Sequence, residues 1–360
     1  DLIVMAGDTF DSRMVRLDSQ AAKMIFEVYQ ELADIAPMVV VVGTQSHDGM
    51  APEVLAHIRS NFPIHVAERP EQIALFDGKF WTLAQSPLPN AIISMVPAPT
   101  KQFWEQFTGN ANQDIDKTNQ EIAAALGTMM AAFGASASGY NCPHILVGHF
   151  AIGGAFVSET QQLIGRDIEL SREQIGFANA DVVCLGHIHY EQMIGDNIFY
   201  SGSVYRQDWG EMEEKGFYIH NIDNGKLSST FHQTPSTKLV KLQANMTNGC
   251  KSVIDMINGI DPSQFQDAHV RLEIRVYQDE AGTIDLQAIA ALIPGVDIRI
   301  QRVPRETVRS AKILTVDHLR DKLRAMAELR CEEVPEEILM KADNLELMDP
   351  SELLQLVSNG

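Results

Sequence analysis

Four segments of the sequence place metal-binding side chains directly after a short apolar run. These side chains are Asp8, His47, Asp48, His149, His187 and His189. In each segment a glycine comes before them, and glycine lets the backbone turn sharply after a strand. Carboxylate and imidazole groups together are typical of manganese, iron or zinc sites. The pattern predicts a metal centre assembled from distant parts of the chain.

Each segment taken alone also has a structural interpretation. A single histidine after a strand is more often a hydrogen-bonded structural residue, and Gly-Asp in the same place is often a turn or a helix cap. All four segments occur in one chain, each at the end of a predicted strand. This combination favours a catalytic cluster over four unrelated structural residues.

An α/β pattern surrounds these segments. Residues 2–6 and 38–42 are apolar throughout, as in strands buried on both faces, and a helix capped by Asp18 or Ser19 is predicted between them up to Ile35. Strand, helix and strand in close succession predict a layered α/β domain. In such sheets functional residues gather at the carboxyl ends of the strands, so we expect the polar segments to converge there.

Further elements are predicted along the rest of the chain. A capping box at Thr118 starts a helix that runs to about Phe133, before a loop at 134–141. The remaining predictions are strands at 145–147, 182–185, 199–201, 216–222, 226–233, 239–242, 269–277 and 296–301, a helix at 286–292, and helices from Asp317, Pro335 and Ser351. We therefore predict three domains, at 1–235, 236–315 and 316–360.

The composition narrows the class of protein. Of 360 residues, 45% are hydrophobic and 21% charged, which excludes a disordered acidic protein, a collagen-like repeat and a small disulfide scaffold. Four scattered cysteines without a CxxC pair indicate a reducing compartment, so a cytoplasmic location is expected. The net charge of −20 argues against nucleic-acid binding by counterion release alone. A phosphate-bearing substrate would need positive charge from a few Arg or Lys residues, a partner protein or a metal.

The first residues of the sequence suggest a fragment. The chain opens at Asp1, without an initiator methionine or a signal peptide, and enters an apolar run at Leu2. Because a domain seldom begins inside a buried strand, we expect that an upstream strand is missing.

The four segments, in this order, resemble the calcineurin-like metallophosphoesterases, and within them the SbcD/Mre11 nuclease subunits of bacteria and phages. The motifs that carry the resemblance are Gly7-Asp8 with Asp11, Gly43-x-x-x-His47-Asp48, Val147-Gly148-His149 and Gly186-His187-x-His189. A Tyr-Ser-Gly-Ser segment from Tyr200, followed by Glu211 and Lys215-Gly216, is also similar to these nucleases. The resemblance covers about residues 1–235.

The resemblance implies a role for each site residue. Asp8 would bridge two metal ions, His149 and His187 would bind one of them, and His189 the other. His47 would stabilise the transition state or protonate the leaving oxygen, and Asp48 would orient it. Arg206 is a candidate phosphate contact, with a surface salt bridge as the alternative.

Two departures from the family pattern are visible. The family's first motif, Asp-x-His on the first strand, is absent; the one Asp-x-His here, Asp267 to His269, is expected to be structural and the missing motif to lie upstream of Asp1. The usual Asn before His47 is also absent. Either Ser46 or Gln45 replaces it through oxygen, or that metal binds more weakly.

The resemblance implies a four-layer α/β/β/α sandwich at 1–235, followed by a small α+β capping domain at 236–315. It implies a metal-dependent DNA exonuclease or endonuclease with two divalent ions, Mn²⁺ being favoured over Mg²⁺, Fe²⁺ or Zn²⁺. This would be the nuclease subunit of an SbcCD/Mre11–Rad50-like repair or recombination complex. The helical segment at 316–360 would dock on an SMC-like ATPase, SbcC/Rad50-like, unless its helices only pack on their own domain.

A homodimer that binds DNA and does not bind membranes is expected.

Two other functions stay open. One is a different metallophosphoesterase, acting on phosphomonoesters or cyclic nucleotides. The other is a non-catalytic scaffold protein with a degenerate metal site.

Overall fold

The computed structural model describes residues 1–86, 88–99, 115–157, 168–248, 252–305, 317–330 and 332–349. They form a mixed α/β protein with several sheets, as predicted. By packing, the chain divides into two units, Asp1–Lys241 with Pro262–Arg271, and Leu242–Asp261 with Leu272–Gly360. The three predicted domains stay a prediction.

The first unit contains most of the strands. Its helices are α1 (Gln20–Ile35), α2 (Ile115–Ala137) and α3 (Arg172–Gly176). Its strands are β1 (Ile3–Met5), β2 (Met38–Val41), β3 (Ile64–Ala67), β4 (Glu71–Phe76), β5 (Lys79–Thr82), β6 (Ala91–Val96), β7 (His144–His149), β8 (Ala151–Ile152), β9 (Glu169–Leu170), β10 (Val182–Gly186), β11 (Gln192–Ile194), β12 (Ile198–Tyr200), β13 (Gly216–Asp223) and β14 (Lys226–Gln233). Short 3₁₀ turns lie at Ala51–His57, Leu83–Gln85 and Pro262–Phe265.

The start of the chain forms the predicted strand, helix and strand. The Ser19 hydroxyl accepts a hydrogen bond from the Ala22 N–H and caps α1, which ends before Pro37. Strands β1, β2 and β3 form a parallel sheet in that order. Parallel pairing brings the carboxyl ends of β1 and β2 to the same edge, where Asp8 and Gly43 follow them.

A seven-stranded sheet, in the order β11-β12-β10-β7-β6-β4-β5, carries the histidine segments. Strands β7 and β10 are parallel neighbours, and their register pairs Gly148 with Leu185 and His149 with Gly186. His149 and His187 therefore leave the sheet side by side, although 38 positions separate them in the chain.

Apolar clusters on the faces of the two sheets hold these elements together. Tyr29 and Ala33 of α1 pack on Met38 and Val40, on one face of the three-stranded sheet. The opposite face of that sheet packs against the seven-stranded sheet through a cluster that includes Val39, Val41, Ile93, Met95 and Val147. The remaining face of the seven-stranded sheet is covered by apolar residues of α2 and α3, such as Leu126, Met130 and Ile175. Burial of both faces explains why these strands are apolar throughout.

Helix α2 differs from its prediction at both ends. It is already helical at Ile115, before the predicted cap at Thr118, and it continues past Gly134 to Ala137. Gly134 does not end the helix because it serves packing: a Cβ at this position would lie 2.5 Å from the Phe177 carbonyl oxygen. The glycine therefore permits close contact between α2 and the end of α3.

The remaining strands and helices lie close to predicted ones, apart from a helix at Val253–Asn258 that the sequence pattern did not indicate. Strands β15 (Lys238–Asn245), β16 (Ala268–Tyr277) and β17 (Asp297–Val303) form a sheet in that order, and the helices are α4 (Val253–Asn258), α5 (Leu286–Leu292), α6 (Leu319–Arg330) and α7 (Glu336–Leu347). Short 3₁₀ turns lie at Met246–Asn248 and Ala281–Thr283. The Arg320 guanidinium of α6 pairs with Asp343 and Glu336 of α7. The helix predicted from Ser351 lies outside the described residues.

None of the helices in the described part of the chain has the length and apolar character that crossing a bilayer requires.

Candidate metal centre

Asp8, His149 and His187 converge at the strand ends. One possible ligand atom of each lies within 4.8 Å of the others, which is close enough for a single metal ion to bind all three. His149 is 1% exposed and Asp8 about one-fifth exposed, and the two histidine rings meet edge to face with centroids 5.4 Å apart. The sequence prediction that these residues meet in space agrees with this geometry.

Thr44 fixes the carboxylate of Asp8. Oxygen Oδ1 of Asp8 accepts hydrogen bonds from the Thr44 backbone N–H at 2.7 Å and from the Thr44 hydroxyl at 2.8 Å. Burial alone would raise the pKa of Asp8, but the neighbouring His149 and the Thr44 donors hold that pKa well below its ordinary value. Asp8 is therefore an anionic side chain, with one oxygen held by Thr44 and the other directed at His149.

His149 presents its second nitrogen to Asp8. Its Nδ1 lies 2.6 Å from the Ala6 carbonyl oxygen, which can only accept, so Nδ1 carries a proton. Its Nε2 is buried, has no partner at hydrogen-bond geometry, and lies 3.2 Å from Asp8 Oδ2. Burial opposes a charged imidazole, but the Asp8 carboxylate outweighs it and raises the pKa of His149.

This pair of atoms fits a cation. On a neutral His149, Nε2 carries a lone pair that faces a carboxylate oxygen, and two acceptors in contact repel unless a positive charge lies between them. A proton or a metal ion can supply that charge. Since His187 adds a third donor atom at the same place, the donor set suits a borderline divalent metal such as manganese, iron or zinc.

Close backbone contacts bring the ligands together. A Cβ on Gly186 would lie 1.9 Å from the Ala6 carbonyl oxygen, and a Cβ on Gly43 would lie 2.2 Å from Asp8 Oδ1. Asp8 and His187 also have positive φ angles, of 53° and 86°, which are uncommon for residues other than glycine. Such conformations cluster at functional sites because the surrounding structure must hold them.

The loop after β2 contains His47 and Asp48. Asp48 is fully buried, and its two carboxylate oxygens accept the N–H groups of Phe10 at 2.9 Å and of Gly43 at 2.7 Å. Burial raises the pKa of Asp48. His47 is exposed, as are Gln45 and Ser46, the two candidate replacements for the missing Asn. The catalytic role of His47, its orientation by Asp48 and the metal-ligand role of Ser46 stay predictions.

Among the described residues, the three-residue group does not include His189. Its Nδ1 is 2.6 Å from Oε1 of Glu211, and its side chain is one-quarter exposed. Its role as a ligand stays a prediction.

The terminal nitrogens of Arg206 donate hydrogen bonds to neighbouring backbone and hydroxyl oxygens. Nη1 donates to the Ser236 hydroxyl and the Thr237 carbonyl, and Nη2 donates to the carbonyls of Met212 and Glu213. A phosphate would have to compete with these four acceptors. The substrate-binding role of Arg206 stays a prediction.

Sequence reasoning missed the residues that hold the ligands. Thr44 occupies an unspecified position of the Gly43-x-x-x-His47-Asp48 motif, so nothing in the sequence pointed to its contact with Asp8. The Ala6 carbonyl is a backbone group and has no sequence signal. Glu211 and Lys215 did carry one, the acidic–Lys-Gly stretch of the family resemblance, although no role followed from it.

No protein-family model matches the chain. Curated proteins named as the D component of the nuclease SbcCD do match it. The chain is 26% identical to the one from Staphylococcus epidermidis over 236 residues, which are 63% of this chain and 57% of that protein. It is 24% identical to the one from Escherichia coli K12 over 352 residues, 93% of this chain and 81% of that protein.

A relative from Staphylococcus saprophyticus, with the same name, is 33% identical over 93 residues, a quarter of each chain. The matched part of this chain thus spans little more than half the length of the Staphylococcus epidermidis protein. These relatives confirm the resemblance to SbcD: the chain is an SbcD-like sequence, similar over most of its length to the D subunits of SbcCD nucleases.

Proposed function

We propose that this chain is the nuclease subunit of an SbcCD/Mre11–Rad50-like DNA repair or recombination complex and hydrolyses DNA phosphodiester bonds with divalent metal ions. The observation that carries the proposal is the convergence of Asp8, His149 and His187 on one point. Similarity to the D component of SbcCD over 93% of the chain supports the nuclease over other metallophosphoesterases.

Two ions are part of the proposal. Asp8, His149 and His187 would hold one, and His189 would hold the other with Asp8 as the bridging ligand; Mn²⁺ is the proposed metal. Bound divalent ions supply Lewis acidity, because they stabilise charge that develops on a phosphodiester and make water a stronger nucleophile near neutral pH. They would also provide the positive charge that a protein of net charge −20 needs beside a phosphate.

The protein's own groups would orient the ligands and move a proton. Thr44 holds Asp8, and the Ala6 carbonyl keeps the proton of His149 on Nδ1. The exposed imidazole of His47 would stabilise the transition state or protonate the leaving oxygen. Both oxygens of Asp48 accept hydrogen bonds from backbone N–H groups. We therefore propose that Asp48 orients His47 indirectly, by stabilising the conformation of the loop that contains both residues.

The wider assembly is proposed on the same basis. Helix α1, the two large sheets and helices α2 and α3 would form the four-layer α/β/β/α sandwich of the calcineurin-like fold. Residues 236–315 would be the capping domain and 316–360 the segment that docks on the SbcC/Rad50-like ATPase. A homodimer in the cytoplasm is the proposed state.

A substrate comparison tests the function. We expect the full-length protein with Mn²⁺ to degrade linear duplex DNA, and a His187→Gly variant to lose that activity because a ligand is gone. Glycine accepts the positive φ of His187, so the backbone should be retained. His57→Gly, at an exposed histidine outside the site, is the control and should stay active.

The other two functions give different results in the same experiment. Hydrolysis of a small chromogenic phosphodiester without degradation of DNA would indicate another metallophosphoesterase. Neither activity, together with no Mn²⁺ bound by elemental analysis, would indicate a scaffold protein.

A further inference from the structure

Two ionisable side chains that the proposed chemistry does not use are buried beside His189. Glu211 and Lys215 are each 1% exposed. Removing two charges from water is strongly unfavourable unless close partners replace the lost hydration. Their contacts show what they are paired with.

Glu211 is the centre of a hydrogen-bond network. Its Oε1 lies 2.6 Å from Nδ1 of His189. Its Oε2 accepts from the Ser203 hydroxyl at 3.2 Å, from the Gln207 backbone N–H at 3.0 Å and from Lys215 Nζ at 2.9 Å. The Lys215 ammonium and the Ser203 and Gln207 donors all point at this side chain, so Glu211 is a carboxylate. A carboxylate can only accept the hydrogen bond from His189.

Lys215 contacts the backbone of the same histidine. The ammonium group has three donors, and they reach Glu211, Glu213 Oε1 at 2.6 Å and the His189 carbonyl oxygen at 3.0 Å. All three donors of the lysine are thus satisfied within the protein. His189 is held at its ring by Glu211 and at its backbone by Lys215.

The hydrogen bond from His189 Nδ1 to Glu211 determines which ring nitrogen can bind a metal. Since Glu211 only accepts, the proton of a neutral His189 lies on Nδ1 and the lone pair lies on Nε2. We propose that Glu211, supported by Lys215, is a positioning residue that keeps His189 in the Nδ1–H tautomer and presents Nε2 to a divalent cation. The proposal rests on the proposed role of His189 as a metal ligand. Partners of this kind set both the tautomer and the basicity of ligating histidines.

The tautomer can be measured without a metal. In metal-free full-length protein with ¹⁵N-labelled histidine, at a pH where the imidazole is neutral, we expect His189 to show a protonated Nδ1 and an unprotonated Nε2. His189→Gln identifies the signals by removing them. A protonated Nε2 in the wild-type protein would overturn the proposal, and this result needs no variant that risks misfolding.

Titration with Mn²⁺ alone tests the consequence. Glu211→Gln should weaken Mn²⁺ binding about 10-fold to 100-fold, the range typical of losing a group that accepts a hydrogen bond from the second ring nitrogen of a metal-binding histidine. The variant should also populate both neutral tautomers of His189. Glu213→Gln is the matched control, because it changes the other carboxylate on Lys215 and should leave affinity and tautomer unchanged. A merely structural role for Glu211 would not change the tautomer.

The outcomes separate the two proposals. Weaker Mn²⁺ binding in His189→Gln, with unchanged binding in Glu211→Gln, would overturn the positioning role and leave the proposed function standing. Unchanged binding in His189→Gln would overturn the ligand role of His189 itself.

Discussion

At the residue scale, Thr44 determines how firmly Asp8 is held. Its hydroxyl and its backbone N–H both donate to Asp8 Oδ1. Thr44→Val keeps the shape and the backbone bond but removes the hydroxyl. We expect Mn²⁺ affinity to fall about tenfold, as measured by isothermal titration calorimetry. Thr82→Val, which removes an exposed hydroxyl far from the site in sequence, should bind as wild type.

Equal Mn²⁺ affinity of Thr44→Val and Thr82→Val would show that the Thr44 backbone N–H alone positions Asp8.

Substitution of His47 should distinguish Mn²⁺ binding from phosphodiester hydrolysis. Its exposed ring is outside the ligand group, so His47→Ala should bind Mn²⁺ as wild type does. Nuclease turnover should fall about 100-fold to 10,000-fold, the usual contribution of a proton donor. Turnover on linear duplex DNA is the measurement, and His57→Ala, at another exposed histidine of the first unit, is the control.

Undiminished turnover in His47→Ala would refute the catalytic role of this histidine.

At the scale of elements, Gly186 allows two strand ends to touch. It is the last residue of β10, and an added Cβ would lie 1.9 Å from the Ala6 carbonyl, which also accepts from His149. Gly186→Ala should therefore push β1 and β10 apart and destabilise the protein by about 3 kcal/mol. The free energy of unfolding in urea measures the effect.

Gly176→Ala is the matched control. Apart from adjacent residues and its own helix, no heavy atom of the described residues lies within 4 Å of the Cβ that it would add. Its stability should therefore stay within about 0.5 kcal/mol of wild type. Equal stability of the two alanine variants would contradict the close approach of the strand ends.

At the scale of the whole molecule, a buried histidine links stability to pH. His144, at the start of β7, is 5% exposed, and its Nε2 lies 2.7 Å from the Ser94 hydroxyl. Burial lowers the pKa of His144, although Asp181 opposes the shift. The unfolded chain therefore takes up this proton at a higher pH than the folded protein. The stabilising contribution is complete above pH 6.5 and declines as the pH falls below it.

His144→Gln removes this titration. Its free energy of unfolding should decline less steeply than that of wild type between about pH 7 and pH 5, as measured by urea unfolding at each pH. Parallel pH profiles for the two proteins would exclude His144 as a source of the dependence.

Metal binding should stabilise the whole first unit, because Asp8, His149 and His187 come from three strand ends that separate on unfolding. At a concentration of 100 times its dissociation constant, Mn²⁺ should add about 2.7 kcal/mol to the free energy of unfolding. Thermal unfolding with and without EDTA measures this, and His187→Gly should show a smaller difference. An equal shift in both proteins would place the bound ion elsewhere.

Part of the fold, and the position of the candidate ligands at strand ends, were predictable from local sequence. Apolar runs such as 38–42 indicate strands buried on both faces, and the two capping candidates Asp18 and Ser19 indicate the start of α1. Asp8, His149 and His187 come at predicted strand ends. These features depend on residues close together in the chain. The end of α2 was not predictable, because Gly134 serves contact with α3 and local propensity does not record that contact.

The sequence by itself determined which residues are donors and on which strand ends they lie. Only the tertiary structure decided how they are held: Thr44 on Asp8, the Ala6 carbonyl on His149, and Glu211 with Lys215 on His189. The physical reason is that these partners are joined by hydrogen bonds across the fold, up to 143 positions apart. Which group accepts from which nitrogen depends on ångström-scale register and packing, and no local pattern encodes it.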